Sequence, residues 1–152
     1  FKQLKNKVKN VSITTDIIVG FPGETEEDFK ETLSVVDECK YDSAYTFIFS
    51  PRVGTPAAKM KDDVPLKEKE ERLKRLNDKI NEYARLANDK YKDKTVKVLI
   101  EGVSEKDDTK MMGYTETLKL VNVEAPKETI GNIINVKITD AKTWSLDGVI
   151  DE

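Results

Sequence analysis

The sequence predicts two structures in succession, an α/β segment built of strand, helix, strand and helix, and then a small all-β barrel. A β-branched run leads through a glycine-containing turn into a helical pattern and a second strand, and a long amphipathic helix follows. Beyond residue 94 only short alternating strands remain, separated by Gly, Asp and Pro. We therefore expect an α/β part at residues 1–92 and a separate β-domain at residues 93–152.

The α/β part begins with a strand that hands over to a helix. Residues 11–19 are rich in β-branched side chains and end at Gly20, which predicts a buried strand. After the Gly-Phe-Pro-Gly turn, Thr25 and Asp28 have the spacing of a helix capping box with Asp in place of Glu. Apolar residues at helical spacing then predict a helix as far as about Lys40.

A second strand and a long helix complete this part. Residues 43–49 predict the strand, and the short connections on both sides of the first helix indicate a βαβ unit with parallel strands. Acidic residues and Pro65 then open a helix of about 25 residues, as helix N-termini favour. Its positive and negative charges are balanced, so we interpret its polar side as a solvated face and not as a basic binding helix.

The last part predicts strands alone. A closed or nearly closed barrel is the expected arrangement, because closure removes exposed strand edges. The predicted strands lie at 95–103, 113–124, 131–144 and 145–152.

Composition excludes several classes of site. The chain has no histidine and one cysteine, Cys39, which rules out Ser-His-Asp or Cys-His catalysis, thiolate or imidazole metal sites and multi-cysteine clusters within it. Its net charge is -3, so no global basic field attracts nucleic acid. It has no membrane-length apolar run and no signal-peptide pattern, which favours a cytoplasmic protein. Because residue 1 is Phe and not Met, we expect a piece of a longer chain.

Two loops lie where parallel α/β sheets bind ligands, at the carboxyl ends of strands. In the first, glycines permit close backbone approach, an aromatic ring can pack on a flat group, and proline stiffens the turn. In the second, a guanidinium can pair with a carboxylate or phosphate. A turn that needs glycine for geometry alone and a surface arginine bridged to a nearby acid remain the alternatives. The candidate ligand-binding residues are Gly20, Phe21, Pro22, Gly23, Glu24 and Arg52.

Taken together, these segments resemble the carboxyl-terminal part of the MiaB-type tRNA methylthiotransferases, which are radical S-adenosylmethionine enzymes. The order and length of the matching segments make the resemblance more specific than any single motif. The "SPRVGTPAA" loop favours the tRNA-modifying branch over relatives that modify a ribosomal protein. The segments that carry the resemblance are TTDIIVGFPGETEEDFKETL, YTFIFSPRVGTPAAKM, VPLKEKEERLKRLN, VKVLIEG and GYTETLKLVNV.

The resemblance implies methylthiolation of C2 of N6-isopentenyladenosine beside the tRNA anticodon. Residues 1–92 are similar to the end of the radical S-adenosylmethionine barrel, and residues 93–152 are similar to a TRAM domain, an OB-like barrel that binds RNA. It further implies that the first candidate loop and Arg52 form part of the wall of the S-adenosylmethionine site. The full-length enzyme of this family uses S-adenosylmethionine and two 4Fe-4S clusters, and the cysteines of both clusters are absent here. We therefore expect this chain to bind no cofactor and to be inactive alone, and we expect Cys39 to be a core residue.

The TRAM-like part departs from the family at Gly113-Tyr114-Thr115, where Gly-Arg-Thr is common. Tyr114 can stack on an unpaired base or serve as a cross-strand packing residue. Lysines alternate with apolar residues on the predicted strands and can form a local basic stripe. The candidate RNA-binding residues are Tyr114, Lys97, Lys119 and Lys137, with Lys142 on the same pattern.

Alternative functions are an RNA-binding module and a stand-alone descendant without catalysis. An upstream reading frame with the cysteine triplet indicates the enzyme, whereas a start codon just before Phe1 indicates the descendant. An incomplete barrel leaves sheet edges and an apolar face exposed, so we also expect self-association. The expected partner is the anticodon arm of tRNA, and no membrane is expected.

Overall fold

The computed structural model describes residues 1–151, which divide into two compact units, residues 13–83 and residues 1–12 with 84–151. The predicted fold class is confirmed, since an α/β part precedes a closed five-stranded barrel. The predicted domain boundary between residues 92 and 93 stays a prediction. Within the described residues, no helix has the length and apolar character needed to cross a membrane.

The α/β unit contains a two-stranded parallel sheet, as the βαβ pattern predicted. Strands β1 (Thr14–Val19) and β2 (Ser43–Ile48) pair along their whole length, with Val19 opposite Ile48. Helix α2 (Glu26–Cys39) connects them, and helix α3 (Leu66–Asp89) follows a short 3₁₀ turn at Pro56–Lys59. The first strand begins three residues later than predicted.

One face of this sheet packs on the helices. The buried apolar side chains alternate along the strands and recur at helical spacing in α2 and α3, so each element contributes one apolar face to a shared core. The fully or almost fully buried members are Val19, Phe29, Val36, Leu76 and Ile80.

The start of α2 is fixed by the capping box that the sequence predicted. The Asp28 amide donates to the Thr25 hydroxyl oxygen at 3.1 Å, and the Thr25 amide donates to the Asp28 carboxylate at 2.8 Å. These hydrogen bonds from Thr25 hold the pKa of Asp28 below its ordinary value. At the other end, Lys40 ends the helix in the left-handed region, and Cys39 is only half-buried, not fully in the core.

The second unit contains a short helix, α1 (Lys2–Lys7), which was not predicted, and the barrel. The barrel strands are β3 (Thr95–Val103), β4 (Met111–Thr115), β5 (Leu120–Glu124), β6 (Ile133–Ala141) and β7 (Leu146–Ile150). Their order around the barrel is β3-β4-β5-β7-β6, and all pairs are antiparallel except β5 with β7.

The strand predicted at 113–124 was wrong, because two strands and a tight turn occupy that segment. The Thr115 hydroxyl oxygen accepts hydrogen bonds from the amides of Thr117 and Lys119, at 3.3 and 3.0 Å. Leu118 adopts a φ of 57°. The chain therefore reverses without glycine, proline or asparagine, the residues that normally indicate a turn.

The barrel interior is filled by apolar side chains from all five strands. Inward and outward residues alternate along β3 and β6, as expected for a closed barrel. The buried members are Val98, Ile100, Met111, Val121, Val123, Val136, Ile138, Ala141 and Leu146.

Candidate functional site

The two predicted ligand loops leave the same edge of the α/β sheet. Because β1 and β2 are parallel and Val19 lies opposite Ile48, both chains exit side by side. The amide of Phe49 donates to the Val19 carbonyl at 2.8 Å, which extends the pairing into the second loop. Both loops therefore lie at the carboxyl ends of the strands, as the sequence predicted, and together they form one surface, here called the rim, which contains Gly20–Glu24 and Arg52.

The first loop is a tight turn whose glycines have positive φ. The Glu24 amide donates to the Phe21 carbonyl at 2.9 Å, closing a four-residue turn with Pro22 buried inside it. Gly20 and Gly23 have φ values of 71° and 82°, a region that side chains with a Cβ rarely adopt. The Phe21 ring remains 42% exposed. The turn thus presents one ring and the Gly23 backbone outward.

Glu24 is held from inside the unit by Arg72. One guanidinium nitrogen of Arg72 donates to the Glu24 carboxylate at 2.8 Å and to its backbone carbonyl at 3.0 Å. The same carboxylate oxygen accepts the Gly20 amide at 3.0 Å. Arg72 is only 1% exposed and also donates to Glu68. The Glu24 carboxylate therefore links Gly20, at the start of the turn, and Glu24, at its end, to Arg72 of α3.

A second buried cation supports the same rim. The ammonium of Lys69 donates to both carboxylate oxygens of Asp62 at 2.7 Å. It also lies 5.6 Å from the centre of the Phe49 ring, and that ring meets Phe21 edge to face with centroids 5.0 Å apart. The Gly23 amide donates to Asp63 at 2.8 Å. The acidic residues before α3 and the aromatic pair therefore fix the shape of the loop.

Arg52, the other predicted ligand contact, is exposed in the second loop. Its carbonyl accepts the Thr55 amide at 3.1 Å and the Thr55 hydroxyl at 2.8 Å, which fixes the backbone. Within residues 1–151 its guanidinium pairs with no carboxylate. The surface ion pair that the sequence left as an alternative is therefore not formed with any described residue.

Sequence analysis missed Lys69 and Arg72, although a signal was present. Both lie at helical spacing from Leu76, so they occupy the buried stripe of α3. Two buried cations on an apolar stripe require anionic partners, because an unpaired buried charge is strongly destabilising. That requirement predicts carboxylates nearby, and Glu24 and Asp62 supply them.

The face of the α/β sheet turned away from the helices is exposed and partly apolar. Ile18 lies opposite Phe47 and Asp16 lies opposite Tyr45 in the parallel register. The residues Ile18, Phe47 and Tyr45 are each more than 50% exposed to solvent. The sequence predicted an exposed apolar face in this part of the chain but did not indicate which residues form it.

On the barrel, the outer surface carries an apolar row across four strands. Tyr114 on β4 lies opposite Leu99 on β3 and opposite Leu120 on β5, and Leu99 lies opposite Ile133 on β6. Tyr114 and Leu120 are half-buried, whereas Leu99 and Ile133 are 42% and 67% exposed. Tyr114 is thus a cross-strand neighbour that also keeps part of its ring accessible. Leu99 and Ile133 were not predicted.

The predicted lysines are distributed around this row. Lys97 follows the same outer face as Leu99, and Lys137 is its diagonal neighbour, because Lys97 pairs with Asn135 and Lys137 pairs with Thr95. Lys119 lies in the turn before β5 and is half-buried. Three candidate cations therefore lie on or beside the surface that carries Tyr114.

Lys142 is a different case. It forms an ion pair with Asp147, and that hydrogen bond holds the pKa of the ammonium above its ordinary value.

Within residues 1–151, no group of three or more His, Cys, Asp or Glu side chains is arranged to hold a metal ion.

Comparison with known proteins finds similarity along both parts of the chain. Residues 89–150 match the family model of the TRAM domain. The tRNA-2-methylthio-N(6)-dimethylallyladenosine synthase of Bacillus cytotoxicus is 54% identical over 99% of this chain, which covers 30% of that relative. The synthases of the same name from Bacillus pumilus and Bacillus subtilis are each 57% identical over 97% of the chain, which covers 29% of each relative.

This chain therefore spans less than a third of the length of the curated relatives that it matches. The identity extends through both the α/β unit and the barrel, and all of these relatives carry the same name. The resemblance predicted from the motifs is confirmed: the chain is 54–57% identical, along almost its whole length, to a segment of these synthases, and residues 89–150 match the TRAM domain.

Proposed function

We propose that this chain is the carboxyl-terminal part of an enzyme that adds a methylthio group to C2 of N6-isopentenyladenosine beside the tRNA anticodon. The observation that carries the proposal is the identity of 54–57% along almost the whole chain to synthases named for that product. N6-dimethylallyladenosine and N6-isopentenyladenosine are the same nucleoside. We also propose a cytoplasmic location, because the proposed substrate is a tRNA.

In this proposal the rim formed by Gly20–Glu24 and Arg52 is part of the wall of the S-adenosylmethionine site. The exposed ring of Phe21 and the backbone at Gly23 offer a surface for a flat group, and Arg52 offers a guanidinium for a carboxylate. Pro22 and the glycines set the shape of the turn. Glu24, which is already bonded to Arg72, contributes by holding the turn in place.

The iron-sulfur chemistry belongs to other parts of the proposed enzyme. In the proposed enzyme the clusters would be held by cysteine thiolates and would supply redox chemistry. This chain has one cysteine and no histidine, so its residues do not fit a cluster. The chain by itself is therefore proposed to be inactive.

The barrel is proposed to hold the anticodon arm of the tRNA. Tyr114 offers a partly exposed ring on the outer surface, and Lys97, Lys119 and Lys137 provide cations for phosphates beside it. OB-like barrels bind single-stranded RNA by stacking aromatic side chains on the bases and by contacting the RNA phosphates with cationic side chains. The chain has a net charge of -3, so local placement of lysines and not overall charge must supply the attraction.

A chimera tests the catalytic part of the proposal. The corresponding segment of the Bacillus subtilis synthase is replaced by this chain, and 2-methylthio nucleosides are quantified by mass spectrometry in tRNA from a strain without its own synthase. We expect restored modification, and we expect Arg52→Ala in the chimera to reduce it. Lys59→Ala is the matched control, because Lys59 is an exposed cation of the same loop region. A folded chimera without product, or equal activity of both variants, contradicts the assignment.

Binding to an anticodon stem-loop that carries isopentenyladenosine tests the RNA part. We expect affinity that falls with salt, and Lys97→Ala with Lys137→Ala should reduce the salt dependence, since each phosphate contact contributes to the slope. Lys127→Ala is the control, because Lys127 is an exposed lysine of the β5–β6 connection and is not one of the proposed contact residues. Salt-independent binding, or equal effects of control and test variants, contradicts this surface.

We also propose that the chain self-associates through the exposed sheet face at Ile18, Tyr45 and Phe47. These side chains project from a two-stranded sheet that has free edges on both sides among the described residues. Light scattering over a wide concentration range should show a species larger than a monomer, and Phe47→Lys should reduce it. A monomer at every concentration contradicts this expectation.

The alternative function is an RNA-binding module without catalysis, which the closed barrel favours. It predicts RNA binding by the chain together with a folded chimera that makes no product. The stand-alone descendant predicts in addition a start codon directly before the first residue.

A further inference from the structure

The turn between β6 and β7 is a second candidate surface that the proposed function does not use. The Lys142 amide donates to the Ser145 carbonyl at 2.8 Å, which closes a four-residue turn. The side-chain amide of Asn88 donates to the carbonyls of Lys142 and Thr143 at 2.8 and 3.1 Å. Asn88 is only 3% exposed. A buried side chain at the end of α3 therefore fixes the backbone of the turn.

Trp144 lies in this fixed turn and is 73% exposed. It is the only tryptophan of the chain. Asp147 holds Lys142 from the β7 side, so the segments on both sides of Trp144 are anchored. A large ring on a rigid support loses little conformational freedom when another flat group stacks on it.

Two other connections lie at the same end of the barrel. Strands β5 and β7 are parallel with Val121 opposite Leu146, so the turns that precede them are neighbours. The preceding turn of β5 contains Leu118, which is 80% exposed. The Tyr91 hydroxyl hydrogen-bonds the Thr117 hydroxyl at 2.7 Å and so brings the α3–β3 connection to the same end.

This end of the barrel, here called the tryptophan end and defined as residues 90–94, 116–119 and 142–145, is rich in lysine. It contains five lysines and two carboxylates, whereas the connections at the opposite end, 104–110 and 125–132, contain three lysines and four carboxylates. One of the five, Lys142, is paired with Asp147. The excess of cations complements a phosphate backbone at this end, although the whole chain is acidic.

We propose that Trp144 is a stacking platform for an unpaired base of bound RNA, with the lysines of the tryptophan end contacting the flanking phosphates. This proposal rests on the proposed RNA-binding function and adds a second aromatic contact to Tyr114. The loop between the last two strands is one of the places where OB-type barrels bind oligonucleotides. Stacking accepts any base, so the platform provides affinity for single-stranded RNA and not sequence discrimination.

The fluorescence of Trp144 tests the proposal directly, because no other tryptophan contributes to the signal. The whole chain is titrated with an anticodon stem-loop RNA that carries isopentenyladenosine, and binding is followed in parallel by fluorescence anisotropy of the labelled RNA. We expect saturable quenching of Trp144 with the same dissociation constant as the anisotropy change. A fully paired RNA hairpin of equal length with a minimal loop should quench it much less.

Substitutions separate stacking from charge. Trp144→Leu should weaken binding by about tenfold, whereas Trp144→Phe, which keeps a stacking ring, should stay within about threefold of the original chain. Lys92→Ala should reduce the salt dependence of binding, and Lys127→Ala at the opposite end should not. Circular dichroism confirms the fold of each variant, and the exposed position of Trp144 makes unfolding an unexpected result.

The outcomes distinguish this inference from the proposed function. If anisotropy shows RNA binding but the Trp144 fluorescence is not quenched, the stacking platform is overturned. The same conclusion follows if Trp144→Leu binds RNA with unchanged affinity. Both results leave RNA binding by the Tyr114 surface intact. Quenching without any loss of affinity in Trp144→Leu also overturns the platform, because the ring is then near the RNA without contributing to binding. Absence of RNA binding at low salt overturns both.

Discussion

Gly113 is the position where a single added methyl group should do most damage to the barrel. A Cβ built on Gly113 would lie 2.1 Å from the Leu99 carbonyl oxygen and 2.9 Å from the Ile100 Cα, and both are backbone atoms of the neighbouring strand. Ordinary contact begins at 3.4 Å. The two strands would have to separate by about 1 Å, which lengthens hydrogen bonds of about 2.9 Å beyond their useful range.

The magnitude follows from two contributions. Overpacking of a close contact costs about 1 to 3 kcal/mol, and each weakened ladder hydrogen bond costs about 0.5 to 1.5 kcal/mol. We therefore expect Gly113→Ala to reduce the free energy of unfolding of the barrel by about 3 kcal/mol, which is a change of about a hundredfold in the folding equilibrium.

Gly102→Ala is the matched control, because a Cβ at Gly102 would meet nothing within 4 Å on the same β3–β4 pair. It should leave stability unchanged or raise it slightly, since alanine restricts the unfolded chain. Urea unfolding followed by the fluorescence of Trp144, the only tryptophan, reports the barrel selectively. Equal urea midpoints for the two variants would refute the reasoning about strand contact.

Three further predictions concern the α/β unit. Arg72→Met should reduce the free energy of unfolding by about 3 to 5 kcal/mol, because it leaves the Glu24 carboxylate without its buried partner. Adding Glu24→Gln should recover much of this loss. Simply additive losses in thermal unfolding would contradict the pairing. Thr25→Ala should cost about 1 kcal/mol through loss of the capping box, whereas Thr25→Ser should retain most of the stability, and equal melting temperatures would argue against the cap. The hydrogen bond that Tyr83 donates to Asp37 raises the pKa of Tyr83 from 10.0 to about 12. The raised value means that the folded state retains the phenol proton longer, so the contribution to stability is complete below about pH 10 and is lost as the pH rises towards 12. Absorbance titration should show a late-titrating phenol that disappears in Tyr83→Phe, and identical titration curves would rule out the bond.

Local sequence patterns were sufficient for most elements. The capping box at Thr25 and Asp28, the strand-helix-strand order and the late change to alternating strands all depend on residues within a few positions of one another. The error at 113–124 has the same explanation. The turn there is stabilised by the hydroxyl of Thr115 and a left-handed Leu118, so it lacks the glycine, proline or asparagine that would indicate a turn.

The candidate site was predictable in its location but not in its construction. Strand ends mark the loop at Gly20–Glu24 and the loop of Arg52, and parallel pairing brings these loops to one edge. The sequence did not indicate that the Glu24 carboxylate would be paired with Arg72, because the two residues are 48 positions apart. Only packing of α3 against the sheet brings them together.

The sequence by itself therefore determined most of the elements, the class of fold and the resemblance to the synthases, since these depend on local periodicity and on motifs in a fixed order. Tertiary structure decided which polar groups are already paired and which are available for a ligand. Glu24 is paired and Arg52 is accessible, and Trp144 is exposed on a turn that the buried Asn88 holds. Accessibility depends on contacts between residues distant in the chain, and a linear pattern does not encode those contacts directly.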